Sequence, residues 1–483
     1  MGLDMFFSKK NTVFGLLAVS FLYGLCILAL GSYYTWPNLE CINESRSILV
    51  GGWSAWTQLM VSMDGRYATN LLHVINPMAW GWMEGYKLMP LLGIFLFIVS
   101  AILFFGAIFN SRALVIWFCC LWATIHFAIS PSLSYELYQM VASFMYLWGV
   151  AAWLLWVGAF IRSLMAKREI EKQAWFILSS VFLVYNYGVN EMFLVINTIT
   201  LLAIVGLGWV NSAMVRVLPL LAVGIMATVF FFAGSGSFQR LAYETATHQS
   251  NHLRSEWGHY VAHYFHAFLL LFSNSFFVLP LFVLSVGALA LKPAVEEFID
   301  RPHNKLTIAG ALFASFVLCS IPFYLFMGSN GMFSTRIFVI VFSFAQLFLI
   351  AVVVLWGQRW LQYHVNLVHI SAIGAAFIVL FADNNYSNII TEWKNGSYDE
   401  LQKHYEVMHN NLRHPTKTNG WRKATIQPMY DKKLINHFGA THFPVGLNWQ
   451  GRVLEGYYDL DEVVVVGDTL DKEYYLNRAF CRE

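Results

Sequence analysis

Apolar runs of membrane-spanning length divide this chain, near 14–31, 89–109, 112–130, 141–163, 174–189, 192–210, 215–234, 264–291, 306–327, 337–356 and 366–382. A run of about 17 to 25 apolar residues is long enough to cross the hydrocarbon core as a helix. Only helices and closed barrels satisfy their own backbone in lipid. The expected fold is therefore an all-α polytopic membrane protein of about eleven transmembrane helices. With 58% hydrophobic and only 12% charged residues, the chain lies outside the range of soluble domains. Its net charge of +2 is nearly balanced, so the total points to no nucleic-acid partner, and what matters is where the charges fall.

They fall between the runs. With Lys9 and Lys10 inside, every second loop carries the basic residues: Arg112, then Arg162, Lys167, Arg168 and Lys172, then Arg216, then Lys292, Arg301 and Lys305, then Arg359. The positive-inside rule supports one register throughout, and an odd number of spans places the tail outside. No small-residue cleavage site follows the first run; Tyr33 and Tyr34 offer an aromatic interface belt instead, so the run reads as a retained anchor.

Three outer segments are long enough to build something: 32–87, 235–263 and the tail 383–483. The inner loops are short and hold no nucleotide-binding glycine motif. In the first segment Trp53, Trp56, Met60, Met63, Tyr67 and Leu71 recur at helical spacing, which predicts a helix lying on the membrane interface. Such a helix brings Asp64 and Arg66 to headgroup level, and Pro77 ends it. An aromatic anchor with Asp64 in a solvated turn is the competing reading. Acids also mark two shorter outer turns, Glu136 after Pro131 and Glu191 in the tight hairpin 185–191. An acid at the bilayer centre costs about 2.5 to 3.5 kcal/mol, so Glu191, close to the hydrocarbon boundary, should face a polar cavity or stand at a wet hairpin tip.

The second outer segment carries His259, His263 and His266 on one helical face. That spacing can present imidazoles to a metal, but no Asp or Glu shares the face, so we expect no metal and assign His259 and His263 to substrate hydroxyls or phosphate. Arg66, Arg240 and Arg336 are outer guanidiniums near span ends. They suit bidentate phosphate recognition or snorkelling to phospholipid headgroups. Cys41 and Cys481 both fall outside, where a bridge is topologically allowed. Beyond 382 the chain turns polar: a helix is expected over 398–412, turns at Asn395-Gly396 and Asn419-Gly420, and a strand over 461–466, a small α+β segment. Asn43, Asn385 and Asn395 stand in N-glycosylation patterns, which carry meaning only outside bacteria.

Taken in order, Met63-Asp64-Gly65-Arg66-Tyr67 with Asn70, the Gly188-Val189-Asn190-Glu191 hairpin, Gly236-Ser237-Phe238-Gln239-Arg240, Asn448-Trp449 and Gly456-Tyr457-Tyr458-Asp459-Leu460 resemble the GT-C superfamily of polytopic glycosyltransferases. The likeness is to a bacterial branch similar in style to the serotype-converting glucosyltransferases. It implies a GT-C-like module over 1–382, an exoplasmic domain over 383–483, and a bacterial inner membrane with a cytoplasmic N-terminus and a periplasmic C-terminus.

It also implies an inverting transfer of sugar from a polyprenyl-phosphate donor to a glycan, glycolipid or protein acceptor, with no cofactor. Asp64 matches the family's first-loop base. Arg66, Arg240 and Arg336 would meet the leaving phosphate, Trp53, Trp56 and Tyr67 would stack on sugar, and Glu191 or Glu136 would orient the acceptor. Many members carry two adjacent acids in the first loop, whereas Met63 and Gly65 flank Asp64; Glu40, Glu44 and Glu84 are the other acids there. Two alternatives stand beside this reading: a transporter or flippase of a lipid-linked sugar, and a non-enzymatic assembly subunit. Transporters usually show repeated halves and ionisable groups at mid-membrane, and the runs here are nearly free of charge.

Overall fold

A backbone passing through lipid must bond to itself, and the apolar runs do so as helices. The computed structural model describes residues 2–37, 39–62, 66–210, 214–233, 275–291, 301–319, 335–357, 364–418, 420–426 and 458–465. In chain order the helices are α1 (Gly2–Tyr33), α2 (Leu39–Gly51), α3 (Trp53–Ser62), α4 (Tyr67–Ile75), α5 (Met89–Ile108), α6 (Arg112–Ile129), α7 (Met140–Met145), α8 (Leu147–Met165), α9 (Glu169–Tyr187) and α10 (Glu191–Val210). Then come α11 (Met214–Ala233), α12 (Ser275–Leu289), α13 (Pro302–Leu318), α14 (Thr335–Trp356), α15 (His364–Phe381), α16 (Asn385–Lys394) and α17 (Ser397–Arg413).

Among the described residues seven helical segments are long and apolar enough to cross a membrane: Phe14–Tyr33, Met83–Ile108, Arg112–Ile129, Met140–Met165, Glu191–Trp209, Phe338–Trp356 and Asn366–Lys394. Two shorter apolar helices, Val217–Ala233 and Phe277–Leu289, occupy the runs expected at 215–234 and 264–291. The runs expected at 174–189 and 306–327 begin in α9 and α13. These helices open on polar residues, Glu169, Glu171 and Lys172 in one and His303 and Lys305 in the other.

The bundle is held by aromatic packing and close backbone approach. Trp122, Trp156, Phe97, Phe105, Phe118, Phe127 and Phe193 are fully buried. Helix α8 runs along both α5 and α9, and a Cβ on Gly158 would lie 2.8 Å from the Cα of Phe104, so only glycine lets α5 and α8 meet there. Indoles of α8 reach polar groups of α10: Trp153 Nε1 donates to Thr200 Oγ1 and Trp156 Nε1 to Asn197 Oδ1, each at 3.1 Å. Helix α1 packs on α6 and α15, while α13 packs on α10 and α14.

The first loop is not one interfacial helix. Helices α3 and α4 are separate, Arg66 between them is non-helical (φ −78°, ψ 63°), and Met63, Asp64 and Gly65 lie outside the described residues. The sequence there is an Asp-Gly turn signal, which competes with the helical periodicity around it. Helix α4 ends at Ile75; Asn76 turns extended (ψ 151°) and its Oδ1 accepts from Ala79 N, so the chain stops one residue before Pro77 as Pro77 requires. The cap formed by α2 to α4 rests on α7 and α9.

The tail leans on the exit of α1. Tyr34 Oη donates to Asp399 Oδ1 at 3.0 Å, and Trp36 stacks on Tyr405 with ring centroids 5.3 Å apart and planes 5° apart. Asn384 caps α16 through a reciprocal box with Ser387, and Gly396 (φ 72°) makes the left-handed turn into α17. A three-stranded sheet follows in the order β1 (Thr416–Thr418), β2 (Trp421–Ile426) and β3 (Glu462–Val465). β1 and β2 are antiparallel, and β2 and β3 are parallel with Lys423 opposite Glu462. Asn385 is no glycosylation acceptor in this fold: it is buried, and its Nδ2 donates to the carbonyls of Phe127 (3.0 Å) and Ser130 (2.9 Å). Cys41 is buried with its Sγ 3.6 Å from Tyr86 Oη, while Cys481, its candidate partner, lies outside the described residues.

Candidate functional site

The hairpin between α9 and α10 is built so that its acid points back at the first loop. Asn190 caps α10, its Oδ1 accepting from the backbone of Met192 (3.0 Å) and Phe193 (3.1 Å), and its Nδ2 donates to Met145 O at 2.9 Å. That fixes Glu191 as the first residue of α10, where the positive end of the helix dipole favours a carboxylate. Helix α4 docks on the same hairpin. Ala68 N donates to Gly188 O (3.0 Å), Thr69 Oγ1 to Val189 O (2.8 Å) and Tyr67 Oη to Val184 O (2.5 Å). Gly188 is needed for this approach, since a Cβ there would sit 2.3 Å from the Tyr67 ring.

Docking brings Arg66 onto Glu191 across 125 residues of sequence. The guanidinium binds the carboxylate in bidentate fashion, Nε to Oε2 at 3.2 Å and Nη2 to Oε2 at 2.9 Å and to Oε1 at 3.2 Å, while Nη1 lies 3.2 Å from Met145 Sδ. Each side chain keeps 15% exposure, so the pair is largely but not fully withdrawn from water. One helical face of α4 continues inward from Arg66 through Asn70 to His73. His73 is buried and its Nδ1 has no hydrogen-bond partner; burial, and behind it the charge of Arg66, lowers its pKa to about 3, so the imidazole is neutral.

The aromatic candidates are differently employed. Tyr67 is buried against Gly188 and Phe230, its hydroxyl committed to Val184, and burial raises that hydroxyl well above the usual tyrosine range. Trp56 Nε1 donates to Tyr67 O at 2.9 Å and braces the start of α4. These two rings pack the cap rather than face a sugar. Trp53 remains 58% exposed.

Glu136 is not at a surface turn. The segment after α6 folds back as a π-helical turn, Ser134–Tyr138, that buries Glu136 completely. Its Oε1 lies 2.5 Å from His126 Nε2, and its Oε2 accepts from Ser130 Oγ. Nδ1 of His126 is 3.1 Å from Gln346 Oε1, which also accepts from Trp122 Nε1 at 2.7 Å. The rings of Phe97, Phe127 and Phe342 surround the imidazole. Our reading of the sequence missed His126, Gln346, His73 and Met145. A titratable histidine inside the apolar run 112–130 was the available signal for the first.

Of the other sequence candidates, Asp64, Arg240, His259 and His263 lie outside the described residues, and Arg336 is described only as the second residue of α14. Among the described residues no group of three His, Cys, Asp or Glu is arranged to hold a metal. The chain matches no protein-family model, no curated protein and no solved structure.

Proposed function

We propose that this integral membrane protein is an inverting glycosyltransferase of about eleven spans that moves a sugar from a polyprenyl-phosphate donor to a glycan, glycolipid or protein acceptor. The observation that carries the reading is the Arg66–Glu191 pair, which ties the segment following Asp64 to an acid at the mouth of the bundle. In this reading Asp64 takes the proton of the acceptor hydroxyl as its oxygen attacks the anomeric carbon, and the bond from that carbon to the phosphate oxygen breaks. The leaving lipid phosphate gains charge, which Arg240 and Arg336 take up. Arg66, engaged by Glu191, positions the Asp64 segment, and His259 and His263 meet hydroxyls or phosphate. The N-terminus would be cytoplasmic and the tail periplasmic in a bacterial inner membrane.

Purified protein is assayed with a synthetic polyprenyl-phosphate sugar, wild type beside Asp64→Asn. Transfer by the wild type, reduced at least a hundredfold in the variant, supports the reading, a general base contributing about 10²- to 10⁴-fold. Equal transfer by both removes Asp64 as base. A second reading, transport of a lipid-linked sugar, is favoured by one observation: Glu136 and His126 form a fully buried ionisable pair inside the bundle, as ion-coupled carriers require. Absence of transfer with any donor, together with movement of the lipid-linked sugar across proteoliposomes, selects it.

A further inference from the structure

The proton positions in the buried cluster follow from what each atom is able to do. Trp122 Nε1 only donates, so the Gln346 atom facing it is the amide oxygen. His126 Nδ1 faces that same oxygen and must carry a hydrogen. Nε2 then meets Glu136 Oε1 at 2.5 Å, a distance that demands a second hydrogen between them, whichever atom holds it. Ser130 donates to the other carboxyl oxygen. The pair therefore contains both protons and is neutral overall. Among the described residues no lysine or arginine pairs with either partner. Titratable groups on this and the neighbouring elements include Cys119 and Cys120 of α6, Tyr135 and Tyr138 of the same turn, Tyr86 bonded to Tyr138 O, His369 of α15, and Tyr386 and Glu392 of α16, of which Tyr386 Oη is bonded to Thr124 O and Glu392 to Tyr398.

We propose that Glu136 and His126 form a proton-binding site whose occupancy seats the π-helical turn between α6 and α7. Exposed to water, a glutamate and a histidine ionise near about 4.3 and 6.5, so above about pH 6.5 an opened pair holds one proton fewer than the closed pair. Closing takes up that proton, and opening releases it. Between about pH 4.3 and 6.5 both states hold the same number and this proton adds no pH dependence. Above that range the closed state loses ground as pH rises, tenfold in the opening equilibrium per pH unit. The turn runs directly into α7, whose last residue, Met145, touches Arg66 and receives Asn190, so the proton acts on the ion-paired site through a continuous stretch of chain.

Glu136→Gln is the informative variant. An amide N–H can donate to Nε2 while the amide oxygen still accepts from Ser130, so the cluster closes without the extra proton. Thermal unfolding of the full chain in lipid nanodiscs is followed from about pH 5 to 9. Between about pH 5 and 6.5 this proton leaves the wild type flat while Glu136→Gln, whose closed histidine is neutral, gains stability as pH rises; above about pH 6.5 the variant levels off and the wild type falls, so the wild type loses ground to the variant throughout. Parallel profiles across the whole range overturn the proposal. If the variant does not fold, ring-nitrogen NMR of the wild type decides: the His126 ring-nitrogen shifts should stay constant across the range because the pair keeps its proton, and a resonance titrating near 6.5 overturns it.

Discussion

Arg66 and Glu191 meet through a bidentate contact whose shortest distance is 2.9 Å, with α4 and the α9–α10 hairpin folded together around it. Removing one member takes the bidentate partner from the other's charge. Arg66→Met or Glu191→Gln should each destabilise the protein by about 3 kcal/mol, the lower end for buried pairs because both side chains keep some exposure. The double variant should cost less than the sum of the singles in thermal unfolding, and strict additivity would show that the contact carries no coupling.

Gly188→Ala should cost about 1 to 3 kcal/mol by forcing the Tyr67 ring off the hairpin. Gly206→Ala in α10, where an added Cβ meets nothing within 4 Å, is the matched control and should be neutral or slightly stabilising in the same melting experiment.

Asn190 serves two helices, capping α10 and bonding the end of α7. Asn190→Ala should cost about 1 to 2 kcal/mol from the cap alone, and more with the Met145 carbonyl left unbonded. Asn190→Asp keeps the cap but adds a carboxylate beside Glu191 and loses the bond to Met145, so it should rescue only part of the loss in chemical denaturation.

His73 sets an acid limit. Its folded pKa of about 3 lies below the unfolded value of 6.5, so between these pH values the unfolded chain binds the extra proton. The stability is therefore fully present above pH 6.5 and is lost as pH falls toward 3. His73→Phe, which keeps a ring against Phe144, should flatten the acid limb of the stability profile; an unchanged limb would assign the acid sensitivity to other groups.

The helices were legible because their causes are local. Apolar runs demand helices in lipid, and Asn395-Gly396 announces a left-handed turn that Gly396 indeed makes. Arg66 and Glu191 stood out one at a time, as charges beside membrane-length runs, but nothing local tells either that it faces the other. Periodicity names the residues on one face without saying what that face meets: Tyr67 turns to Gly188 and Phe230 rather than to the membrane surface. Glu136 misled for a related reason. Pro131-Ser132-Leu133-Ser134 has the composition of a surface turn, and what draws it inward is a histidine ten residues back, held by a glutamine on α14 that lies 220 residues further on.

The contact of Tyr34 with Asp399 spans 365 residues. Helix α1 leaves the ribosome long before α17, and the aromatic groups at its exit meet their partners only when α17 has been made. At a synthesis rate of about 5 to 20 residues per second, that interval is on the order of 20 to 70 seconds. During it the nascent chain carries Tyr34 and Trp36 without their final partners, so completion of the membrane-embedded body waits on α17, and a chain cut short before α17 would be recognisable to quality control by that uncovered aromatic edge.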